Sequence, residues 1–95
     1  ITAIFSMIVL SLILIHGLEA AIWAVFYHWL GEFPTFGNAL YFSIITSTTV
    51  GYGDAILSDQ WQLVGAIEGM VGFILFGVST AFLIETLRSF TAERT

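Results

Sequence analysis

The sequence predicts an all-α membrane protein with two helices that cross the bilayer and a short re-entrant helix between them. Three observations carry that expectation. Of 95 residues, 58% are hydrophobic and 9% are charged, against about 25% charged in an ordinary soluble domain. The apolar residues concentrate in two stretches, 3–30 and 61–87, each longer than the roughly 20 residues that a span needs. Between them, residues 37–49 form a third stretch too short to cross, and Gly51 and Gly53 follow it closely. A soluble domain this small has a high surface-to-volume ratio, and so few charges cannot cover it.

Composition excludes several function classes. Net charge is −5, lysine is absent, and Arg88 and Arg94 are the only basic residues apart from two histidines. No basic patch exists to meet nucleic-acid phosphates. With no cysteine, disulfide scaffolds, thiolate metal sites and cysteine nucleophiles drop out. No metal-ligand cluster, phosphate loop or nucleophile–base set appears, and no enzyme activity is expected. The chain starts at Ile1 rather than Met, so flanking regions, a regulatory domain among them, are not read as absent in nature.

The first helix, 3–30, carries Ile4, Phe5, Ile8, Val9 and Leu10, then Ile22, Val25 and Phe26. Its length of about 42 Å exceeds the ~30 Å hydrocarbon core, so it tilts and projects past the interface. Trp23, Tyr27 and Trp29 read as an aromatic belt. It lacks the basic leader and cleavage pattern of a signal peptide. Gly31, Pro34 and Gly37 mark a loop. The last helix, 61–87, contains Gly65, Gly69, Gly72 and Gly77, spacings that permit close helix approach. Residues 88–95 form a polar tail. Both termini then share one side, and the two arginines place it in the cytoplasm. Ninety-five residues cannot enclose a polar pathway alone, so a pore needs several copies.

Function concentrates in Thr48-Thr49-Val50-Gly51-Tyr52-Gly53-Asp54. Non-helical backbone at membrane depth survives only inside protein or beside water. Glycine takes backbone conformations closed to other residues, so alternating glycines can turn successive carbonyls to one side. Four such strands around an axis give stacked rings of oxygen that replace a cation's water shell. The Thr49 hydroxyl adds a ring below, while Val50 and Tyr52 point away and brace the strand.

Thr49-Val50-Gly51-Tyr52-Gly53 resembles the potassium-channel selectivity signature. The chain as a whole resembles the two-transmembrane pore module of prokaryotic potassium channels: outer helix 3–30, pore helix 37–49, filter 49–53, inner helix 61–87. The resemblance implies a four-fold homotetramer in the cell membrane, conducting K+ passively. It implies K+ ions held by the carbonyls of Thr49, Val50, Gly51 and Tyr52 and by the Thr49 hydroxyl, with Gly53 at the filter mouth. Tyr41 and Phe42 match the family's aromatic pore-helix pattern, a cuff around the filter. Asp54 is implied to accept a hydrogen bond from a pore-helix aromatic, here Tyr41; otherwise it is a solvated loop acid. Ile45 departs from relatives that carry glutamate there, which puts carboxylate-coupled inactivation in doubt. Glu32, Asp54 and Asp59 either concentrate cations at the outer mouth or are ordinary loop acids. The pore helix directs the negative end of its dipole at the cavity.

Phe73, Phe76, Thr80 and Ile84 recur at helical spacing on one face. Aligning Gly72 with the family's hinge glycine puts that face on the pore, with an apolar constriction that closes by dewetting. Alternatively Phe73 and Phe76 pack between helices, and Gly72 is a contact point. Glu19 and Glu68 are costly acids within the spans. Glu68 is expected to reach the pore helix near Thr46 or Ser47 and support the filter. His16 and Glu19 share a face and either pair or meet polar groups elsewhere. No arginine-rich voltage sensor is present. Two rival readings stand beside the potassium channel. One is a less selective cation pore. The other, of a different class, is a transporter or non-conducting structural subunit.

Overall fold

The computed structural model describes the backbone of residues 2–94 and the side chains of residues 2–91; the Arg94 side chain, used above to orient the chain, lies outside the described residues. Three helices make the fold: α1 (Thr2–Trp29), α2 (Phe36–Ser47) and α3 (Gln62–Arg94). α1 and α3 are long and apolar enough to cross a membrane, and in each the most apolar window is only 11% buried within the chain. Their side chains therefore need an apolar solvent, and the protein is a membrane protein. At 12 residues, α2 reaches about 18 Å and cannot span. α3 runs past Leu87 through Arg94, so the segment 88–94 continues the helix.

Local chemistry sets the helix ends. α1 stops at Gly31, whose φ of +82° is open to glycine without steric cost. The Gly31 N–H donates to the His28 carbonyl at 3.0 Å and the Glu32 N–H to the Tyr27 carbonyl at 3.2 Å. This paired closure satisfies carbonyls the helix would leave bare. α2 starts at Thr35, an extended N-cap whose hydroxyl accepts the Asn38 N–H at 3.1 Å, worth about 1 kcal/mol relative to alanine. Glu32 latches the two loops: its carboxylate accepts the Ser58 N–H at 2.7 Å and the Ser58 hydroxyl at 3.1 Å.

The buried core sits at the loop end of the molecule. Ala24 and Tyr27 of α1 meet Ala39 and Phe42 of α2, with Phe33 and Leu57 closing over them. Tyr27 and Phe42 pack edge to face at 5.4 Å, and Phe33 lies 5.2 Å from Phe42; such pairs contribute about 0.5–1.5 kcal/mol beyond area burial. α2 wedges between α1 and α3, which touch each other little. Small residues permit the wedge. A Cβ at Gly65 would meet Leu57 and Phe42, and a Cβ at Gly72 would land on the backbone of Ser47, the last residue of α2. Packing alone thus demands glycine at 72, and α3 passes through it unbroken.

Alanine at 72 should therefore destabilise the protein although alanine favours helix by about 1 kcal/mol. The forced separation of α2 from α3 costs on the order of 1–3 kcal/mol. Gly72→Ala should lower the thermal midpoint in detergent, and an unchanged midpoint would contradict the contact.

Candidate functional site

The segment from Ser47 to Asp54 leaves α2 through an unusual end. Thr48 is the C-cap (φ −85°, ψ 0°); its N–H donates to the Ile44 carbonyl at 3.0 Å and its hydroxyl to the same carbonyl at 2.8 Å. The Thr49 N–H donates to the Thr46 carbonyl at 3.1 Å, and the Gly51 N–H to the Ile45 carbonyl at 3.0 Å. The last turn of α2 is thus satisfied by the segment that follows, so helix end and segment form one hydrogen-bonded unit.

Thr49, Gly51 and Gly53 have φ of +64°, +50° and +86°, and Thr49 is the one non-glycine with positive φ among the described residues. Val50 and Tyr52, between them, do not. The backbone therefore alternates in hand, which can turn consecutive carbonyls the same way. Two of the three positions carry glycine and escape the penalty. A β-branched residue there stores about 1–3 kcal/mol, and such strain persists only where surrounding contacts enforce it. Val50 and Tyr52 are exposed, as is the whole run from Thr49 to Asp54.

Asp54 anchors the far end. The Tyr41 hydroxyl donates to Asp54 Oδ2 at 2.7 Å, tying the chain after Gly53 back to α2. That bond holds the Tyr41 phenol above its ordinary range. Phe42, the neighbouring aromatic, turns the other way into the core with Tyr27 and Phe33. Ile45 is buried, and Asp54 has its partner in Tyr41 without a carboxylate at 45.

Behind the segment lies a fully buried carboxyl group. Glu68 of α3 is 0% exposed. Its Oε1 lies 2.7 Å from the Tyr27 hydroxyl of α1, and its Oε2 lies 2.6 Å from both the Ser43 and Ser47 hydroxyls of α2. Ser47 was an expected partner. Tyr27 and Ser43 were not, yet they complete a three-helix junction. His16 and Glu19 do not pair. His16 Nε2 is 2.7 Å from Ser79 Oγ and its ring stacks on Phe76 at 4.1 Å, while Glu19 accepts from Trp23 Nε1 at 2.9 Å. Of the expected stripe on α3, Phe76 is thus turned to α1 and packs within the chain. Phe73, Thr80 and Ile84 remain exposed, with the Thr80 hydroxyl donating to the Phe76 carbonyl at 2.8 Å. Arg88 lies 3.8 Å from Glu85, both well exposed, a contact of little energetic weight.

A sequence profile described as ion channel matches residues 15–89, spanning the Glu68 junction, α2, the glycine-rich segment and nearly all of α3. The chain belongs to this ion-channel family. No characterised protein and no solved structure shows a significant match. As a member of that family, the channel carries permeant ions across a membrane.

The two unexpected partners of Glu68, Tyr27 and Ser43, each carry a signal in the sequence. Ala20, Ala24 and Tyr27 form a stripe of small and polar residues on an otherwise aliphatic helix, the face that α2 covers. Ser43 stands one turn before Ser47, so both hydroxyls share a face of α2.

Tyr41→Phe should loosen the alternating segment while leaving helix content unchanged. Amide exchange at Gly51 should speed up at neutral pH. In wild type the strut is fully present below the ordinary tyrosine range and lost only as pH rises through the raised folded value, so alkaline exchange rates of the two should converge. Equal rates at neutral pH would remove the strut from the account.

Proposed function

We propose that the channel is a homotetrameric, potassium-selective pore in which Thr49, Val50, Gly51, Tyr52 and Gly53 of four chains form the selectivity filter. The observation that carries this reading is the alternation of backbone hand at 49, 51 and 53 on a segment pinned at both ends, by the α2 cap below and by Tyr41–Asp54 above. Such a segment can present carbonyls of Thr49, Val50, Gly51 and Tyr52 to one axis, with the Thr49 hydroxyl beneath, and hold dehydrated K+ between successive rings. A single chain offers one wall only. Its exposed edge, including Val50 and Tyr52, is covered when four copies surround the axis, which is the closed symmetry that makes a central pathway.

The remaining parts take roles around that axis. α2 directs the negative end of its dipole along the line on which ions arrive. Phe73, Thr80 and Ile84 line the inner vestibule, and the apolar rings at 73 and 84 narrow it. Phe76 works instead as packing against His16. Arg88 marks the cytoplasmic side, so the loops between α1 and α3 face outward. Glu32 serves as the latch to Ser58, which leaves Asp59 and Asp54 as the acids nearest the entry.

Reconstituted in liposomes, the chain should pass K+ rapidly, Na+ far more slowly, and lose K+ flux when Ba2+ is added. Equal K+ and Na+ flux would point to a less selective cation pore. No flux from a folded oligomer would favour a structural or transporter subunit.

A further inference from the structure

The buried junction behind the filter segment contains more short contacts than the hydroxyl groups can supply with hydrogens. Four contacts are present: Tyr27 hydroxyl to Glu68 Oε1 at 2.7 Å, Ser47 Oγ to Glu68 Oε2 at 2.6 Å, Ser43 Oγ to Glu68 Oε2 at 2.6 Å, and Ser43 Oγ to the Ala20 carbonyl at 2.6 Å. All lie in the range of true O–H···O bonds, and each requires its own hydrogen. Tyr27, Ser43 and Ser47 bring one each. The Ala20 carbonyl has none to give, so the Ser43 hydrogen is committed to it. One hydrogen shared between the two acceptors would bend and lengthen both bonds, and both are short. The contact between Ser43 Oγ and Glu68 Oε2 is left without a hydrogen unless the carboxyl group provides it.

Charge leads to the same conclusion. Glu68, Ser43 and Ser47 are buried, with exposures of 0%, 0% and 2%. The other titratable groups facing Glu68 are Tyr27 and Glu19, both on α1; α2 contributes only hydroxyls. Neither facing group is a cation. Arg88 stands 20 residues along α3, about 30 Å away. A buried carboxylate with no counter-charge is far costlier than a neutral acid with every bond made.

We propose that Glu68 is a neutral carboxylic acid whose Oε2–H donates to Ser43, completing the set of hydrogen bonds that joins α1, α2 and α3 and fixes the end of α2. All four contacts then have a hydrogen: Tyr27 to Oε1, Ser47 to Oε2, Oε2–H to Ser43, and Ser43 to Ala20. Glu68 is thereby a positioning residue for the strained Thr49, two residues beyond Ser47. That consequence for conduction rests on the reading of residues 49–53 as the filter; the protonation itself does not.

The test is infrared spectroscopy of the full chain in lipid at neutral pH. Wild type should show the carbonyl band of a neutral carboxylic acid, lost in Glu68→Gln and retained in Glu19→Gln. Tyr27→Phe, which keeps Glu68, should move that band to higher frequency, because the carbonyl Oε1 loses its donor. A wild type without the band, a band lost only in Glu19→Gln, or no shift in Tyr27→Phe would each overturn the proposal. In Glu68→Gln the amide oxygen still accepts from Tyr27 and the NH2 can donate to both Ser43 and Ser47, which reverses only the Ser47 bond, so its Gly51 amide should exchange within about twofold of wild type. Glu68→Leu strands the Tyr27 and Ser47 hydroxyls and removes the donor to Ser43, and should raise that rate about tenfold or more. Equal rates in both variants would overturn the positioning role. K+ flux without the band would leave the channel reading standing and this proposal refuted; the band without K+ flux would do the reverse.

Discussion

The backbone of Ser47 occupies the space that any side chain at residue 72 would need. That contact fixes where α2 ends against α3, and the alternating segment starts from there. Because α2 stops on α3, the next residues cannot continue the helix. Thr48 caps it, Thr49 turns to positive φ, and the Gly51 N–H returns to the Ile45 carbonyl. The strain at Thr49 is held by contacts on both sides, which is the condition under which strained backbone persists at functional sites.

Lipid explains why polar groups gather at this point. Within a bilayer the apolar residues of α1 and α3 gain little from meeting each other, since lipid tails are as apolar as they are. Association then depends on close packing and on hydrogen bonds between helices. α1 contributes the smooth face of Ala20 and Ala24 and the Tyr27 hydroxyl; α2 contributes Ser43 and Ser47; α3 contributes Glu68 and Gly72. The carboxyl group and the glycine are one helical turn apart on α3, so the tightest contact and the strongest polar tie reinforce each other. The same junction anchors Tyr27, which in turn supports Phe42 and the core.

Much of this architecture was legible in sequence because the bilayer imposes coarse lengths. Two long apolar runs and one short one translate directly into α1, α3 and α2. The spacing of Gly51 and Gly53 signalled unusual backbone, but the matching conformation at Thr49 did not, because a β-branched residue avoids it and only tertiary contacts force it there. Tyr27 read as an interfacial aromatic beside Trp23 and Trp29, yet it is 0% exposed. Hydropathy cannot separate a belt residue from one that faces a neighbouring helix; the small residues at 20 and 24 could have done so. Gly72 illustrates a different limit. A glycine chosen for flexibility and one chosen for closeness look identical until the atoms opposite are placed.

In the proposed channel each chain forms a quarter of one pathway, with its alternating segment facing a four-fold axis. Because the chain has no cysteine, a single spin label at Asp59→Cys, exposed in the loop before α3, reports subunit geometry without further changes. Pulsed electron paramagnetic resonance in lipid should give two distances, adjacent and diagonal, in a ratio of about 1.4 as four-fold symmetry requires. A single distance, as from a dimer, or none at all would contradict the account.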